Sequence, residues 1–113
     1  MILIPTRTSP GMNSREHYMA RARRVKSEKA VVAWQLAALK EKPALPCAVT
    51  LTRFAPSNGL DDDNLRGAMK SVRDAVADWL GVDDKHKDIV AYHYAQERAT
   101  WAVGITFSTW SEP

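Results

Sequence analysis

The chain has a single cysteine, Cys47, among its 113 residues. An internal disulfide is therefore excluded, and one unpaired thiol is typical of a protein in a reducing cytoplasm. The three histidines, at positions 17, 86 and 93, are scattered, so no zinc-ligand spacing exists. No apolar run is long enough to cross a bilayer, and residues 1–5 are too short for a signal-peptide core. We expect a cytoplasmic protein with no membrane partner.

The charge is unevenly distributed, although the net charge is only +3. Residues 1–42 hold nine Lys and Arg against three Glu, whereas residues 43–113 hold seven Lys and Arg against ten Asp and Glu. A basic half beside an acid-rich half suits a surface for a polyanion next to a metal site. The alternative is a basic helix face that is simply solvated.

The hydrophobic pattern predicts one α+β domain over residues 1–113, in the order β-α-β-α-β-β. Strands are expected at 2–8, 47–54, 89–96 and 100–109, with the last two forming a hairpin across residues 97–99. Helices are expected from 14 to about 39 and over 64–80, and Gly81 is placed to end the second helix in the left-handed conformation. We expect both helices to pack on one mixed sheet.

Three adjacent aspartates, Asp61, Asp62 and Asp63, precede the second helix. In an extended segment residues two apart point the same way, so Asp61 and Asp63 are expected to converge while Asp62 faces away. Asn64 would then begin the helix. Hard carboxylate oxygens of this kind suit Mg²⁺. The alternative is that one aspartate caps the helix and the others are solvated.

The order Asp61-x-Asp63-Asn64, Lys70-x-x-x-Asp74, Asp83-Asp84 resembles the RusA family of Holliday-junction resolvases, which is common in phages and prophages. Members are small homodimeric endodeoxyribonucleases that use Mg²⁺, for which Mn²⁺ can substitute, to cut four-way DNA junctions in recombination and repair. The resemblance covers residues 60–90 well and is weaker over the N-terminal part of the chain.

The resemblance implies roles for individual residues. Asp61, Asp63 and Asp84 match the family's essential carboxylates and would hold the metal. Asn64 matches the motif asparagine, and Asp83 is a secondary candidate. The family lysine usually lies three residues after the asparagine, where this chain has Gly67. Lys70 is therefore the candidate for the catalytic lysine if three residues are inserted.

A homodimer would give a two-fold symmetric junction two matching sites. A straight helix over residues 64–80 would separate its ends by about 25 Å, at ~1.5 Å per residue. Either the chain folds back after Gly81, or Asp84 comes from the partner subunit. Basic side chains are expected to contact DNA phosphates. The candidates are Arg15, Arg21, Arg23, Arg24, Lys26, Arg66 and Arg73.

Three other interpretations remain open from the sequence. One is a branched-DNA-binding phage protein that keeps the fold without catalysis, which the glycine at position 67 favours. Another is a Mg²⁺-dependent nuclease that acts on flaps or replication forks. The third is a domain in which the aspartates only cap a helix.

Overall fold

The computed structural model describes residues 1–8, 18–57, 59–83 and 88–111. It is a small α+β domain with three helices and one mixed four-stranded sheet. The elements are β1 (Ile2–Ile4), α1 (Tyr18–Ala37), β2 (Cys47–Ala55), α2 (Asp62–Ala68), α3 (Lys70–Leu80), β3 (Val90–Arg98) and β4 (Ala102–Thr109). The predicted fold class and element order are confirmed, except that the second predicted helix is divided in two.

The sheet has the strand order β1-β4-β2-β3. β2 pairs in parallel with β3 and antiparallel with β4, and β1 pairs antiparallel with β4. The predicted hairpin between the last two strands is therefore wrong, because β2 lies between them. Residues 99–101 cross the end of β2 instead, where the Ala99 amide donates to the Ala55 carbonyl at 3.0 Å. The segment β2–α2–α3–β3 is a parallel crossover unit.

The division of the second helix occurs at Met69, which has φ −98° and ψ 5°. The helical hydrogen bonds continue across it, from the Met69 amide to the Leu65 carbonyl at 3.1 Å and from the Arg73 amide to the Met69 carbonyl at 2.9 Å. Gly67 lies in the preceding turn, and as a glycine it has no side chain to restrict its backbone conformation. The prediction of a single helix is thus corrected to two helices that meet at a local bend.

The core lies between the helices and one face of the sheet. Val32 and Leu36 of α1 belong to this core. Met69, Val72 and Val76 are the core residues from the bend and from α3. The sheet contributes alternate residues of each strand, which include Ile4, Cys47, Val49, Leu51, Val90, Val103 and Ile105. β2 is buried along nearly its whole length because it has a strand on each side and helices over one face.

Polar contacts between described residues also join α1 to α3. The Ser71 hydroxyl donates to Glu28 Oε2 at 2.7 Å, and both residues are buried. At the other end of the contact, Lys29 Nζ lies 2.8 Å from Asp78 Oδ2. The hydrogen bond to Asp78 raises the pKa of Lys29. The α1–α3 packing fixes α3, and hence the end of α2, relative to the sheet.

Candidate functional site

The aspartate cluster forms the start of α2. Asp61 is the N-cap, with extended backbone, and its Oδ1 accepts a hydrogen bond from the Asn64 amide at 2.9 Å. Asp62 and Asp63 occupy the first helical turn. The helix therefore begins at Asp62, and the prediction that it begins at Asn64 is wrong. Because residues two apart on a helix lie about 200° apart around its axis, the extended-chain argument for the convergence of Asp61 and Asp63 does not apply.

The N-cap bond explains how three adjacent carboxylates are tolerated. The free amides and partial positive charge of a helix N-terminus stabilise acidic side chains in the first turn. The capping alternative is thus confirmed for Asp61. All three aspartates are nevertheless exposed, and only Oδ1 of Asp61 is used in the cap. Their remaining oxygens face solvent, where a cation has access to them.

A glutamine clamp places this cluster at one edge of the sheet. Gln96 of β3 donates through Nε2 to the Leu60 carbonyl at 2.7 Å, and its Oε1 accepts from the Leu60 amide at 2.8 Å. Both backbone groups of the residue before Asp61 are therefore held by one side chain. Gln96 pairs in register with Arg53 near the carboxyl end of β2. The aspartates thus lie at the carboxyl edge of parallel strands, where open sheets of this kind bind ligands.

Of the second acidic pair, only Asp83 belongs to the described residues, and it does not lie at this edge. Asp84 lies outside the described residues. Asp83 is exposed and lines a cavity of about 680 Å³ with Lys29, Asp78 and Gly81, past the C-terminal end of α3. Within the described ranges no three His, Cys, Asp or Glu side chains form a metal-binding group. Of the expected metal ligands, the structure describes Asp61 and Asp63 only.

Lys70 begins α3 and points into solvent. Its side chain is 74% exposed, and its Nζ lies 3.8 Å from Asp74 Oδ2. The two residues form an i,i+4 pair, and such a pair is worth little at an exposed position. Lys70 is seven residues beyond Asp63, a rise of about 10 Å along a helix. Gly67, where the resemblance to the RusA family would place a lysine, is one turn beyond Asp63.

Two arginines lie closer to the sheet than Lys70 does. The Arg66 guanidinium is 5.6 Å from the ring centre of Tyr94, and that of Arg73 is 5.5 Å from the ring centre of Tyr92. The two tyrosines are two residues apart on β3 and therefore share a face. Arg66 and Arg73 thus follow the edge strand β3 as a basic row, with Arg66 three residues after Asp63.

The basic residues of α1 separate into two groups. Arg23 and Lys26 are exposed, whereas Arg21 and Arg24 are half-buried. Arg24 Nε lies 3.7 Å from Oε1 of the buried Glu28. Arg24 therefore faces the α1–α3 interface. Arg15 lies outside the described residues.

Sequence reasoning missed Arg53, which is only 3% exposed. It lies on the core side of β2, on the same face of the strand as Cys47, Val49 and Leu51. Its guanidinium is 5.4 Å from the ring centre of Trp101, and the guanidinium of Arg7 is 4.9 Å from the same ring. The signal was a lone cation on the otherwise apolar core face of the strand.

Comparison with known proteins gives no relative from which a function can be carried over. No family model, curated protein or solved structure matches the chain. Among the residues that the structure describes, no helix is both long enough and apolar enough to cross a membrane.

Proposed function

We propose that the protein is a Mg²⁺-dependent, structure-selective endodeoxyribonuclease that resolves four-way DNA junctions in the cytoplasm of a bacterial host. One observation carries the proposal. The motif Asp61-x-Asp63-Asn64 opens the crossover helix at the carboxyl edge of a mixed sheet, with its carboxylates exposed. The resemblance of the ordered acidic motifs to the RusA family supplies the reaction.

The available ligands suit a hard divalent cation. Asp61 and Asp63 offer carboxylate oxygens, and Mg²⁺ needs only a few carboxylates because water and substrate phosphate complete its coordination. We propose that Asp84 supplies a third carboxylate. When bound, the metal lowers the pKa of a water ligand and offsets charge on the phosphoryl oxygens. The Asp61 cap holds the motif in place through Asn64.

Cationic side chains near the motif would offset negative charge on the scissile phosphate. Lys70 is the candidate that the motif suggests. Arg66 is the structural alternative, because it lies one turn after Asp63 and is held against Tyr94. Exposed Arg23 and Lys26 on α1 would contact phosphates and position the DNA without reading its sequence.

We propose a homodimer in which each site draws carboxylates from both chains. The proposal is supported by Asp83, which lies past the end of α3 while Asp61 lies at the start of α2. A mixed dimer of one Asp63→Asn chain and one Asp84→Asn chain tests it. A shared site leaves one intact and one doubly damaged site, so the mixed dimer nicks junctions without resolving them. A mixed dimer with no cleavage at all would place both carboxylates in one chain.

Cleavage of a labelled synthetic four-way junction, with linear duplex as the control substrate, tests the activity. Asp63→Asn should abolish Mg²⁺-dependent cleavage. Asp62→Asn is the matched control, since it removes the same charge from the same exposed helical turn, and should retain cleavage. Equal loss of cleavage in both variants would show that only the total negative charge of the aspartate cluster matters. No cleavage by the unaltered protein in Mg²⁺ or Mn²⁺ would refute the proposal.

The second candidate is a branched-DNA-binding protein without catalysis. Gly67 at the usual lysine position and the solvent-facing Lys70–Asp74 pair favour it. Tight junction binding without cleavage would establish this function. Cleavage of flaps or forks in preference to four-way junctions would instead indicate a different nuclease of the same chemistry.

A further inference from the structure

Arg53 is a buried cation without an acidic partner in the described part of the chain. Its side chain is almost fully buried on the core side of β2, and its Nε has no hydrogen-bond partner among the described residues. Its register neighbours on the two adjacent strands, Gln96 and Val103, are uncharged. An arginine stays protonated in proteins, so an uncompensated guanidinium at this depth is costly. Burial accordingly lowers the pKa of Arg53.

A second cation shares the aromatic neighbour of Arg53. The guanidinium carbons of Arg7 and Arg53 both lie within 5.4 Å of the Trp101 ring centre, so they are at most about 10 Å apart. The indole stabilises each cation through its ring face, but it carries no negative charge. The pair therefore keeps its full positive charge around one ring.

A second buried polar group without a partner lies next to Arg7 in the chain. Thr8 is 2% exposed, and its Oγ1 has no hydrogen-bond partner among the described residues. Buried hydroxyls are nearly always hydrogen-bonded, so such a group requires an explanation. A bound anion that accepts a hydrogen bond from this hydroxyl would supply the missing partner.

All of these groups lie at the edge that carries the aspartate motif. β1 and β2 are both antiparallel to β4, so their carboxyl ends meet at one edge, and Trp101 directly precedes β4 there. Arg53 is paired with Gln96, the residue that clamps Leu60. The buried Arg53 is thus next to the loop that presents Asp61.

We propose that Arg53, Arg7 and Thr8 form an anion site that takes a phosphate group at the carboxyl edge of the sheet. Its assignment to a nucleic-acid backbone phosphate rests on the proposed function. The buried Arg53 would bind one phosphate oxygen pair with its planar guanidinium, and the exposed Arg7 would close over it. The aspartates would then act on a phosphodiester that these cations hold in place.

Two measurements on the 113-residue chain test the site without using cleavage. The first is thermal unfolding in inorganic phosphate against chloride at equal ionic strength, because a ligand that binds only the folded state raises its midpoint. The second is the salt dependence of binding to a labelled four-way junction in EDTA, where each phosphate contact contributes a slope of about 0.9 in log K against log salt.

The variants are Arg53→Gln and Arg7→Gln. Lys42→Gln is the matched control, since Lys42 also lies over an indole, that of Trp79 at 5.5 Å. Phosphate stabilises folded proteins in general, so the expected result is a rise in the unfolding midpoint of the unaltered protein and of Lys42→Gln that exceeds the rise in the other two variants by several degrees. Each test variant should lower the binding slope by about 0.9, whereas Lys42→Gln should leave it unchanged.

Each alternative outcome has a distinct meaning. A phosphate effect that disappears in the variants, with unchanged junction slopes, would assign the site to free phosphate and overturn the nucleic-acid assignment. If Arg7→Gln matches the unaltered protein in both measurements while Arg53→Gln only unfolds more easily, Arg53 is structural and the proposal fails. Arg7 is exposed, so its variant remains informative even if Arg53→Gln does not fold. An unaltered protein that binds phosphate but cuts no junction would refute the nuclease proposal and would leave the anion site in place.

Discussion

Asp61 can be tested for capping and metal binding separately, because asparagine preserves only one of these roles. Its Oδ1 accepts the Asn64 amide at 2.9 Å, and asparagine caps helices about as well as aspartate does. Asp61→Ala should therefore lower the free energy of unfolding by about 1 kcal/mol, whereas Asp61→Asn should change it by a few tenths. For a chain of 113 residues, 1 kcal/mol corresponds to a fall of about 4 °C in Tm.

Junction cleavage should respond differently from stability. If Asp61 binds the metal, Asp61→Asn and Asp61→Ala should both lose Mg²⁺-dependent cleavage, although only the alanine variant is destabilised. Thermal unfolding followed by circular dichroism and cleavage under single-turnover conditions measure the two effects. Full cleavage by Asp61→Asn would show that Asp61 is a cap and not a ligand. Equal destabilisation by both substitutions would refute the capping argument, since it would attribute the stability to charge.

Three further predictions concern the scaffold. Ser71→Ala should cost about 2 kcal/mol in urea unfolding, because it removes a 2.7 Å hydrogen bond to the buried carboxylate of Glu28; the exposed Ser27→Ala is the control, and an equal loss there would contradict the reasoning. Gly81→Ala should cost ~1–2 kcal/mol through its φ of 73° alone, since a Cβ there meets no atom within 4 Å, and Gly81→Asn should cost less. Burial raises the pKa of the Cys47 thiol, so a thiol reagent should modify it only after unfolding; rapid labelling of the folded protein would place Cys47 at an accessible surface.

The local elements followed from short-range patterns in the sequence. The apolar periodicity of residues 65–80 and the glycine at its end predicted the helical segment and its left-handed terminus, which Gly81 provides. The hydrophobic pattern of residues 100–109 predicted a strand there, and Val103 and Ile105 of β4 lie in the core. These features depend on neighbours within one or two turns, and such neighbours are visible in sequence.

The strand pairing depended on distant contacts. An alternating pair of strands joined by a short connection fits a hairpin equally well whether or not a third strand enters between them. Here β2 enters because its apolar length is best buried at the centre of the sheet, between β3 and β4. The insertion places Arg53 beside Gln96 and next to the loop that carries Asp61.

For the candidate site, the sequence determined the chemistry, and the tertiary structure decided its arrangement. The run of carboxylates before a helix, and its order with Lys70 and the later aspartates, is a property of the chain alone. The start of the helix at Asp62 was decided by the capping bond of Asp61, because hydrogen-bond geometry outweighs simple alternation at a helix end. The burial of Arg53 against Trp101 was decided by strand register, since only the assembled sheet brings residues so far apart in sequence around one ring.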